Sequence, residues 1–375
     1  MVHYIGWYIA ENDDDLYTGN VPGKLKMRYV ARKIIEAGKD ITIFSLATRK
    51  KRGLYCKKRC KKNENTSVLY TGGYSGNRKI ERYFNGLIKK LQFTLYVIFE
   101  VKKDDTIVLY HSVAYTKLLS ILKKIFHRTV VIEVEEVYGY SAVEDHTWVD
   151  KEIETIKTMD AFIVVNAGIA TEFELDPENY VISYGVCDIP QCRVEQYDDG
   201  KIHVVYAGTI ERRKLGALTA VEVARYLPDN YIMHIIGFGT EENIEYMQSK
   251  IQEINKTCKE IKVQYDGYYT GDDLDDFLFR CHIGLSSNVM RPNFANHSFP
   301  SKVITYMCHN LSVVLGYAKA FYDVPISKGW SFYMEHEPKK IAEAIQNTEI
   351  APSGYYTDIV KKMDEELIDF IKRVC

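Results

Sequence analysis

Residues 300–314 read PSKVITYMCHNLSVV and combine a helix start, a helix and the beginning of a buried strand. Pro300 and Ser301 suit the first positions of a helix, where an amide hydrogen has no partner within the helix. The backbone N–H groups and the dipole of such a helix start attract an anion, and Lys302 adds a positive charge. The stretch therefore predicts a phosphate-binding helix, while an ordinary capped helix explains the same residues.

Strand-like and helix-like segments alternate along most of the chain around this stretch. Helices are predicted at residues 79–99 and 113–124, and another from the apolar spacing of residues 27–35, with Gly38 as its stop. The predicted strands are short, apolar and rich in β-branched or aromatic residues. They lie at residues 3–9, 41–46, 106–110, 129–134, 161–165, 202–207, 231–236, 261–265, 283–286 and 311–315. The alternation predicts an α/β fold with doubly wound parallel sheets.

A length of 375 residues predicts two domains. The segment 185–201 breaks the alternation with Pro190, Gly200 and several polar residues, which is typical of a linker. We expect an amino-terminal Rossmann-like domain at 1–185 and a second one at 200–350. A terminal amphipathic helix within 355–375 is positioned to pack back on the first domain. Two such domains facing each other would bind a ligand at the carboxyl ends of their strands.

Composition excludes several other classes of protein. Hydrophobic residues make up 46% and charged residues 27%, as in soluble globular proteins. The 49 basic and 51 acidic residues give a net charge of -2, so no global charge excess indicates a nucleic-acid partner. The eight cysteines have no repeated spacing, which favours reduced thiols in a cytoplasm. No metal is expected, because Cys56 and Cys60 lack a second pair and the acidic run 13–15 is typical of a solvated surface.

A glycine turn follows the strand predicted at 202–207. Gly208 and Thr209 precede a cluster of cations, Arg212, Arg213 and Lys214. A glycine allows close approach of a ligand, and arginine and lysine neutralise phosphate oxygens. The alternative is an ordinary solvated helix start.

A second glycine pair, Gly237 and Gly239, ends the strand predicted at 231–236. This pattern is not the GxGxxG fingerprint of dehydrogenases, because Glu242 occupies the third glycine position. A dehydrogenase is therefore the least favoured enzyme class.

Taken in order, these segments resemble the glycosyltransferase family 4 (group 1) enzymes of the GT-B fold. The resemblance covers residues 181–186, 206–208, 235–239, 266–269 and 300–314, and the last segment is similar to members of bacterial polysaccharide assembly. It implies a nucleotide-diphosphate sugar donor carrying UDP, bound by the second domain without a metal or other cofactor. It also implies transfer that retains the anomeric configuration.

The resemblance implies a role for particular residues of the second half. Cations and helix-start groups would stabilise the departing diphosphate, and further side chains would hold the nucleoside, the ribose and the donor sugar. The catalytic cations are Arg212 and Lys214, and the donor-binding residues are Gly208, Thr209, Phe238, Gly239, Tyr268, Asn296, His297, Ser301, Lys302 and Thr305.

Three positions depart from the family pattern. His297 and Thr305 stand where many members have two glutamates, and Thr209 stands where an arginine usually follows the glycine. These departures leave open a nucleotide-binding partner subunit without activity. A UDP-sugar 2-epimerase, which uses the same architecture, is the alternative enzyme.

In the first half, polar residues follow two neighbouring predicted strands. His111 follows one, and Glu133, Glu135 and Glu136 end the next. His111, Glu135 and Glu136 are the catalytic candidates on the acceptor side, whereas a lone histidine at a strand end is more often structural.

Residues 49–62 read RKKRGLYCKKRCKK, with nine basic residues and no acid. Such a run is usually a mobile solvated loop, but it also suits contact with an anionic membrane surface. Nucleic acid is disfavoured because no groove-reading motif accompanies the run.

The resemblance thus implies a retaining GT-B hexosyltransferase of cell-surface polysaccharide biosynthesis. Its acceptor would be a lipid-linked or growing glycan, and its location the cytoplasm, at the inner face of the plasma membrane.

Overall fold

The computed structural model describes residues 1–19, 21–62, 64–141, 148–213, 215–287, 296–322 and 324–375. The chain forms two compact units. The first contains Met1–Val186, Asn296–Phe299 and Met363–Cys375, and the second contains Cys187–Ala295 and Pro300–Lys362.

The first unit is built on short strands of apolar and β-branched residues. These strands are β1 (Val2–Gly6), β2 (Tyr17–Thr18), β3 (Ile41–Ser45), β4 (Thr48–Arg49), β5 (Gly53–Tyr55), β6 (Lys58–Lys61), β7 (Thr66–Tyr70), β8 (Gly73–Ser75), β9 (Thr106–Tyr110), β10 (Thr129–Val134), β11 (Ala161–Val164) and β12 (Tyr180–Ile182). The helices between them are α1 (Val21–Glu36), α2 (Lys79–Phe99), α3 (Val113–Phe126), α4 (Tyr138–Ser141), α5 (Val149–Ile156) and α6 (Ala167–Glu172).

Eight of these strands form one sheet in the order β12-β11-β10-β9-β1-β3-β7-β6. All neighbours are parallel except β6, which pairs antiparallel with β7 at the edge. Strands β1, β3 and β9 are almost fully buried, as expected of parallel strands covered by helices. From β1 the chain adds β3 on one side of the sheet and later β9 on the other, so the strand order reverses between β1 and β9. Open α/β sheets bind ligands at such a switch point.

The second unit repeats this plan with six strands. They are β13 (Ile202–Ala207), β14 (Tyr231–Ile236), β15 (Val263–Gly267), β16 (Ile283–Ser286), β17 (Ser312–Gly316) and β18 (Ser331–Tyr333). The accompanying helices are α7 (Gly216–Val223), α8 (Glu241–Lys256), α9 (Asp272–Arg280), α10 (Ser301–Cys308), α11 (Lys319–Tyr322), α12 (Pro338–Gln346) and α13 (Thr357–Val374). The last helix enters the first unit at Met363.

The second sheet is entirely parallel, in the order β15-β14-β13-β16-β17-β18. This is the Rossmann order 3-2-1-4-5-6, with its switch point between β13 and β16. Apolar residues of β13 and β14 pack with those of α7, α8 and α12 in one buried cluster. The doubly wound α/β architecture predicted from the sequence is confirmed in both units.

Segment 49–62 differs from the loop that its composition suggests. It contains β5 and β6, and β6 lies on the edge of the first sheet. Lysine-rich edge strands are common because their charge prevents pairing with another chain. Part of the positive charge is neutralised, since Glu100 accepts ion pairs from Lys57 and Arg59. The sequence does not predict β5 and β6, because alternating apolar residues are scarce in this segment.

Across the described ranges, no helix has both the length and the apolar character needed to cross a membrane.

Candidate functional site

A cavity of about 200 Å³ lies at the carboxyl ends of β13 and β14 in the second unit. The ends of these strands, the residues after β15 and the first turns of α10 surround it. Its lining consists of Ala207, Gly208, Ile236, Gly237, Phe238, Tyr268, Tyr269, Leu274, Lys302, Thr305 and Tyr306. Five of the predicted donor-binding residues, Gly208, Phe238, Tyr268, Lys302 and Thr305, are therefore brought together here.

The glycines of the cavity allow two backbone segments to approach closely. A Cβ at Gly237 would lie 1.7 Å from the carbonyl oxygen of Gly208, and the φ of Gly237 is +143°. A Cβ at Gly239 would lie 2.4 Å from the carbonyl oxygen of Ile210. The N–H of Ile210 donates to the carbonyl of Phe238 over 2.8 Å, so the chains after β13 and β14 remain paired. Gly237 and Gly239 thus serve backbone packing.

Lys302 lies on the first turn of α10, directly against the glycine turn. Its Nζ is 3.8 Å from the centroid of the Tyr206 ring, a cation–π arrangement that holds the ammonium group over the end of β13. A Cβ at Gly208 would lie only 2.4 Å from this Nζ. In the described structure no side chain caps the first turn of α10. Cation and helix start therefore converge on Gly208, which is the arrangement that binds an anion.

Tyr306 joins α10 to the sheet beneath the cavity. Its hydroxyl accepts a hydrogen bond from the N–H of Ala207 at 3.0 Å and donates to the carbonyl of Leu285 at 3.1 Å. The ring fills the space over Gly284, where a Cβ would lie 2.3 Å from it. Tyr306 was not predicted as a site residue, since nothing local in the sequence reveals a partner 99 residues away.

Two exposed aromatic side chains stand at the cavity. Phe238 is 48% exposed and Tyr268 is 58% exposed, and their ring centroids are 5.4 Å apart at an angle of 72°. Exposed aromatic rings beside a cavity offer flat surfaces for stacking a nucleobase.

The remaining predicted residues of the second unit lie around the cavity without lining it. The Arg212 guanidinium stacks on Tyr246 at 4.2 Å and lies 3.3 Å from the Glu242 carboxylate. Thr209 accepts a hydrogen bond from the Tyr206 hydroxyl through its carbonyl. Ser301 is the exposed first residue of α10. Lys214 lies outside the described residues, and ligand roles for these positions stay predictions.

In the first unit, His111 is buried and held by two side chains. Its Nε2 lies 2.7 Å from Glu152 Oε1, and its Nδ1 lies 2.8 Å from Thr116 Oγ1. Glu152 also accepts the backbone N–H groups of Tyr138 and Gly139. The imidazole orientation is thus set by a carboxylate that is itself held in place, an arrangement that suits both a structural and an acid–base role.

His111 and Glu152 border a second cavity, of about 360 Å³. The side chains of Trp148, Lys117 and Lys151 also line it. Glu152 was not predicted as a site residue, because a glutamate on an amphipathic helix is ordinarily solvated, whereas this one is buried.

The three glutamates near the end of β10 lie in different surroundings. Glu135 pairs with the buried Lys26, whose Nζ is 3.3 Å from Oε1. Burial, reinforced by the charge of Glu135, raises the pKa of Glu136. Burial, with repulsion from Glu135, raises the pKa of Glu133 to about 8. Glu133 accepts a hydrogen bond from the Tyr4 hydroxyl, and its raised pKa favours the protonated carboxyl group near neutral pH.

Asn296 and His297 belong to the first unit and do not line the 200 Å³ cavity. His297 pairs with Glu172 and stacks on Tyr140, with ring centroids 3.9 Å apart. Their contact with a donor sugar stays a prediction. In the described ranges, no three His, Cys, Asp or Glu side chains are arranged to hold a metal ion.

No protein-family model matches the chain, and no curated protein sequence matches it. Solved structures do match over its whole length. A trehalose-6-phosphate structure from E. coli bound with UDP-2-fluoro glucose has a TM-score of 0.64 at 9% identity, covering 100% of this chain and 96% of that one. An α,α-trehalose-phosphate synthase (UDP-forming) from Burkholderia xenovorans in complex with glucose-6-phosphate has a TM-score of 0.65 at 9% identity, with coverages of 100% and 97%.

A third match is the sucrose-phosphate synthase of Thermosynechococcus elongatus, with a TM-score of 0.61, 13% identity and coverages of 99% and 94%. At identities this low the likeness concerns the fold. Together with the two parallel sheets of Rossmann order, these matches show that the chain has the GT-B fold.

Proposed function

We propose that this protein is a retaining glycosyltransferase that transfers a hexose from a UDP-sugar to the hydroxyl group of a glycan acceptor. The observation that carries the proposal is the convergence of Lys302, the start of α10 and the Gly208 turn beside two exposed aromatic rings. A nucleoside diphosphate has both features that such a cavity complements, a flat base and adjacent negative charges.

Electrostatics would supply the catalysis. As the bond between the sugar and the diphosphate breaks, negative charge grows on the departing phosphate. A cation and backbone amides already in place stabilise that charge more in the transition state than in the ground state. Lys302 and the backbone N–H groups at the start of α10 beside Ser301 are suited to this task, and Arg212 and Lys214 would add positive charge.

The nucleoside would occupy the aromatic side of the cavity. Phe238 and Tyr268 would contact the uracil ring, with Gly239 nearby, and Thr305 would contact the ribose or the adjacent phosphate. Thr209 would contribute backbone groups at the turn. The donor sugar would meet Asn296 and His297.

In a retaining transfer the acceptor hydroxyl attacks the anomeric carbon on the face that the diphosphate leaves. The bond from the sugar to the phosphate oxygen breaks, the new glycosidic bond forms, and the hydroxyl proton passes to the departing phosphate oxygen. No enzyme nucleophile is required. His111, Glu135 and Glu136 would position the acceptor.

We further propose a lipid-linked or growing glycan of cell-surface polysaccharide as the acceptor, which would place the protein in the cytoplasm at the inner face of the plasma membrane. The structural neighbour in complex with glucose-6-phosphate supports a sugar phosphate as the competing acceptor class. A panel containing both classes distinguishes them by product.

The test is calorimetric titration of the protein with UDP, followed by detection of UDP release from UDP-glucose in the presence of the acceptor panel. Lys302→Ala should weaken UDP binding by about 1.5–3 kcal/mol, which is the contribution of a hydrogen bond to a charged group. Lys339→Ala removes an exposed lysine of α12 and is the matched control.

Equal UDP binding by the parent and Lys302→Ala would reject the phosphate assignment. Conversion of a UDP-sugar to its epimer without acceptor, seen by NMR, would identify a 2-epimerase instead. UDP binding with no release from any donor and acceptor pair would indicate an inactive partner subunit.

A further inference from the structure

Helix α2 carries an apolar face that no described part of the protein covers. The helix has 21 residues and is therefore about 31 Å long. Its inner side is buried through Asn85, Lys89, Phe93, Tyr96 and Val97. The opposite side exposes large apolar residues along the full length of the helix, namely Ile80, Tyr83, Phe84, Leu87, Ile88, Leu91, Leu95 and Phe99.

These eight residues recur at helical spacing and form one continuous stripe, here called the α2 apolar face. Phe99 is 76% exposed and Tyr83 is 66% exposed. Single exposed apolar residues are ordinary on a protein surface, but a stripe of this length usually marks a binding surface.

Neighbouring elements extend the apolar surface. Helix α3 packs on α2, with the rings of Phe93 and Tyr115 in contact at 5.3 Å, and it exposes Ile121 and Ile125. Strand β8 packs on α2 and pairs with β5, which exposes 86% of Leu54.

Exposed cations lie on α2 and beside the neighbouring strand β5, although Glu100 pairs with Lys57 and Arg59. Lys79, Arg82 and Lys90 are the exposed charged residues of α2 itself. The single acid of this helix, Glu81, is partly buried and pairs with Arg52. Leu54 lies within the basic segment 49–62, so lysines and arginines flank the apolar surface on the side of β5.

We propose that the α2 apolar face docks in the plane of an anionic lipid bilayer, with segment 49–62 on the phospholipid headgroups. An amphipathic helix that exposes apolar residues between cations inserts at the boundary between headgroups and acyl chains. Basic residues beside the membrane add attraction to anionic lipids. This inference deepens the membrane location given under the proposed function, but it concerns the first unit and does not depend on the transfer reaction.

Charge favours a bilayer over a second copy of the chain. A twofold dimer through the same face would bring each basic flank close to its own copy. Like charges brought together in this way oppose association, whereas an anionic lipid surface complements them.

The experiment is co-sedimentation of the full chain with vesicles of phosphatidylcholine containing phosphatidylglycerol, and with vesicles of phosphatidylcholine alone. The parent is expected to bind the anionic vesicles more strongly, and added salt should weaken the binding. The double variant Leu87→Glu, Leu91→Glu should reduce partitioning into anionic vesicles at least about tenfold, because two buried leucines are lost from the membrane.

The matched control is the double variant Ile261→Glu, Met334→Glu, which changes two exposed apolar residues of the second unit by the same charge. It should bind vesicles like the parent. Circular dichroism checks that both variants are folded, and UDP titration of each reports on the second unit separately.

A second variant, Phe84→Trp, gives a direct signal from the α2 apolar face. Its additional tryptophan emission should shift to shorter wavelength when anionic vesicles are added. Absence of vesicle binding by the parent, or equal binding by the leucine double variant, would overturn the proposal. A dimer in sedimentation velocity that the leucine double variant abolishes, together with no vesicle binding, would identify a self-association surface instead.

Discussion

The Lys302 side chain comes so close to Gly208 that it restricts which residue can stand at position 208. The Nζ of Lys302 lies 2.4 Å from the position that a Cβ at residue 208 would take, and it is 3.8 Å from the centroid of the Tyr206 ring. Glycine at 208 therefore leaves room for the ammonium group at this place. Glycine at 237 has a different cause, because the atom it meets is the carbonyl oxygen of Gly208, which belongs to the backbone.

These two causes predict different effects of alanine. Gly208→Ala should push the flexible end of Lys302 aside, so UDP affinity falls while the free energy of unfolding falls by about 1–2 kcal/mol. Gly237→Ala places Cβ 1.7 Å from a backbone atom at a φ of +143° and should cost more than about 3 kcal/mol. Thermal unfolding and UDP titration of both variants separate the two effects. Equal loss of stability in the two would contradict this explanation.

At the scale of elements, hydrogen bonds fix α10 to the second sheet. Its helix start presents Lys302 to the cavity, and one turn later Tyr306 reaches the ends of β13 and β16. The buried hydroxyl satisfies the N–H of Ala207, the residue directly before the glycine turn. Tyr306 thereby fixes the distance between the start of α10 and the end of β13. It acts as a positioning residue.

Tyr306→Phe tests this coupling. The N–H of Ala207 and the carbonyl of Leu285 lose their partner, which should lower the free energy of unfolding by about 1–3 kcal/mol. UDP affinity should fall as well, although the tyrosine hydroxyl is not expected to touch the ligand. Tyr231→Phe, at a buried tyrosine of the same unit, is the control. Unchanged UDP affinity in Tyr306→Phe would show that α10 keeps its place without this hydroxyl.

At the scale of the whole molecule, each unit has its own sheet and its own buried polar groups. In the first unit, α13 returns to α1, where Asp364 accepts hydrogen bonds from Tyr29 and Lys33 at 2.5 Å. The core of that unit also contains Glu133, whose pKa is raised by burial. The contribution of Glu133 to stability therefore depends on pH in a direction opposite to that of a paired surface carboxylate.

The sign follows from proton binding. In the unfolded chain Glu133 ionises near its ordinary pKa of 4.5, but in the folded protein it keeps its proton to about pH 8. The folded state thus binds more protons in this interval, and Glu133 lowers stability as pH rises, by up to about 1.4 kcal/mol per pH unit.

Glu133→Gln should remove this contribution. Its unfolding temperature should decline less than that of the parent between about pH 5 and about pH 8, as measured by calorimetry at several pH values. Glu174→Gln, at an exposed glutamate of the same unit, should follow the parent. Parallel curves for Glu133→Gln and the parent would mean that the buried carboxyl group is ionised throughout.

Local patterns determined much of the architecture. Residues 106–110, 129–134, 202–207 and 231–236 form the strands that their apolar β-branched composition predicts, and α2 has the predicted bounds of 79 and 99. Gly38 follows α1 with a φ of +78°, as a helix stop should. These features depend on residues close in sequence, whose spacing alone indicates which side is buried.

Tertiary structure decided which of these residues meet. Lys302 reaches Gly208 across 94 positions, and Tyr306 reaches Ala207 across 99, so no local spacing could reveal either contact. The same holds for the α2 apolar face. Its periodicity predicts an amphipathic helix, but only the packing of Asn85 and Lys89 inward shows that the apolar side is the one left exposed. The physical reason is that burial depends on distant elements, whereas periodicity depends only on the helix itself.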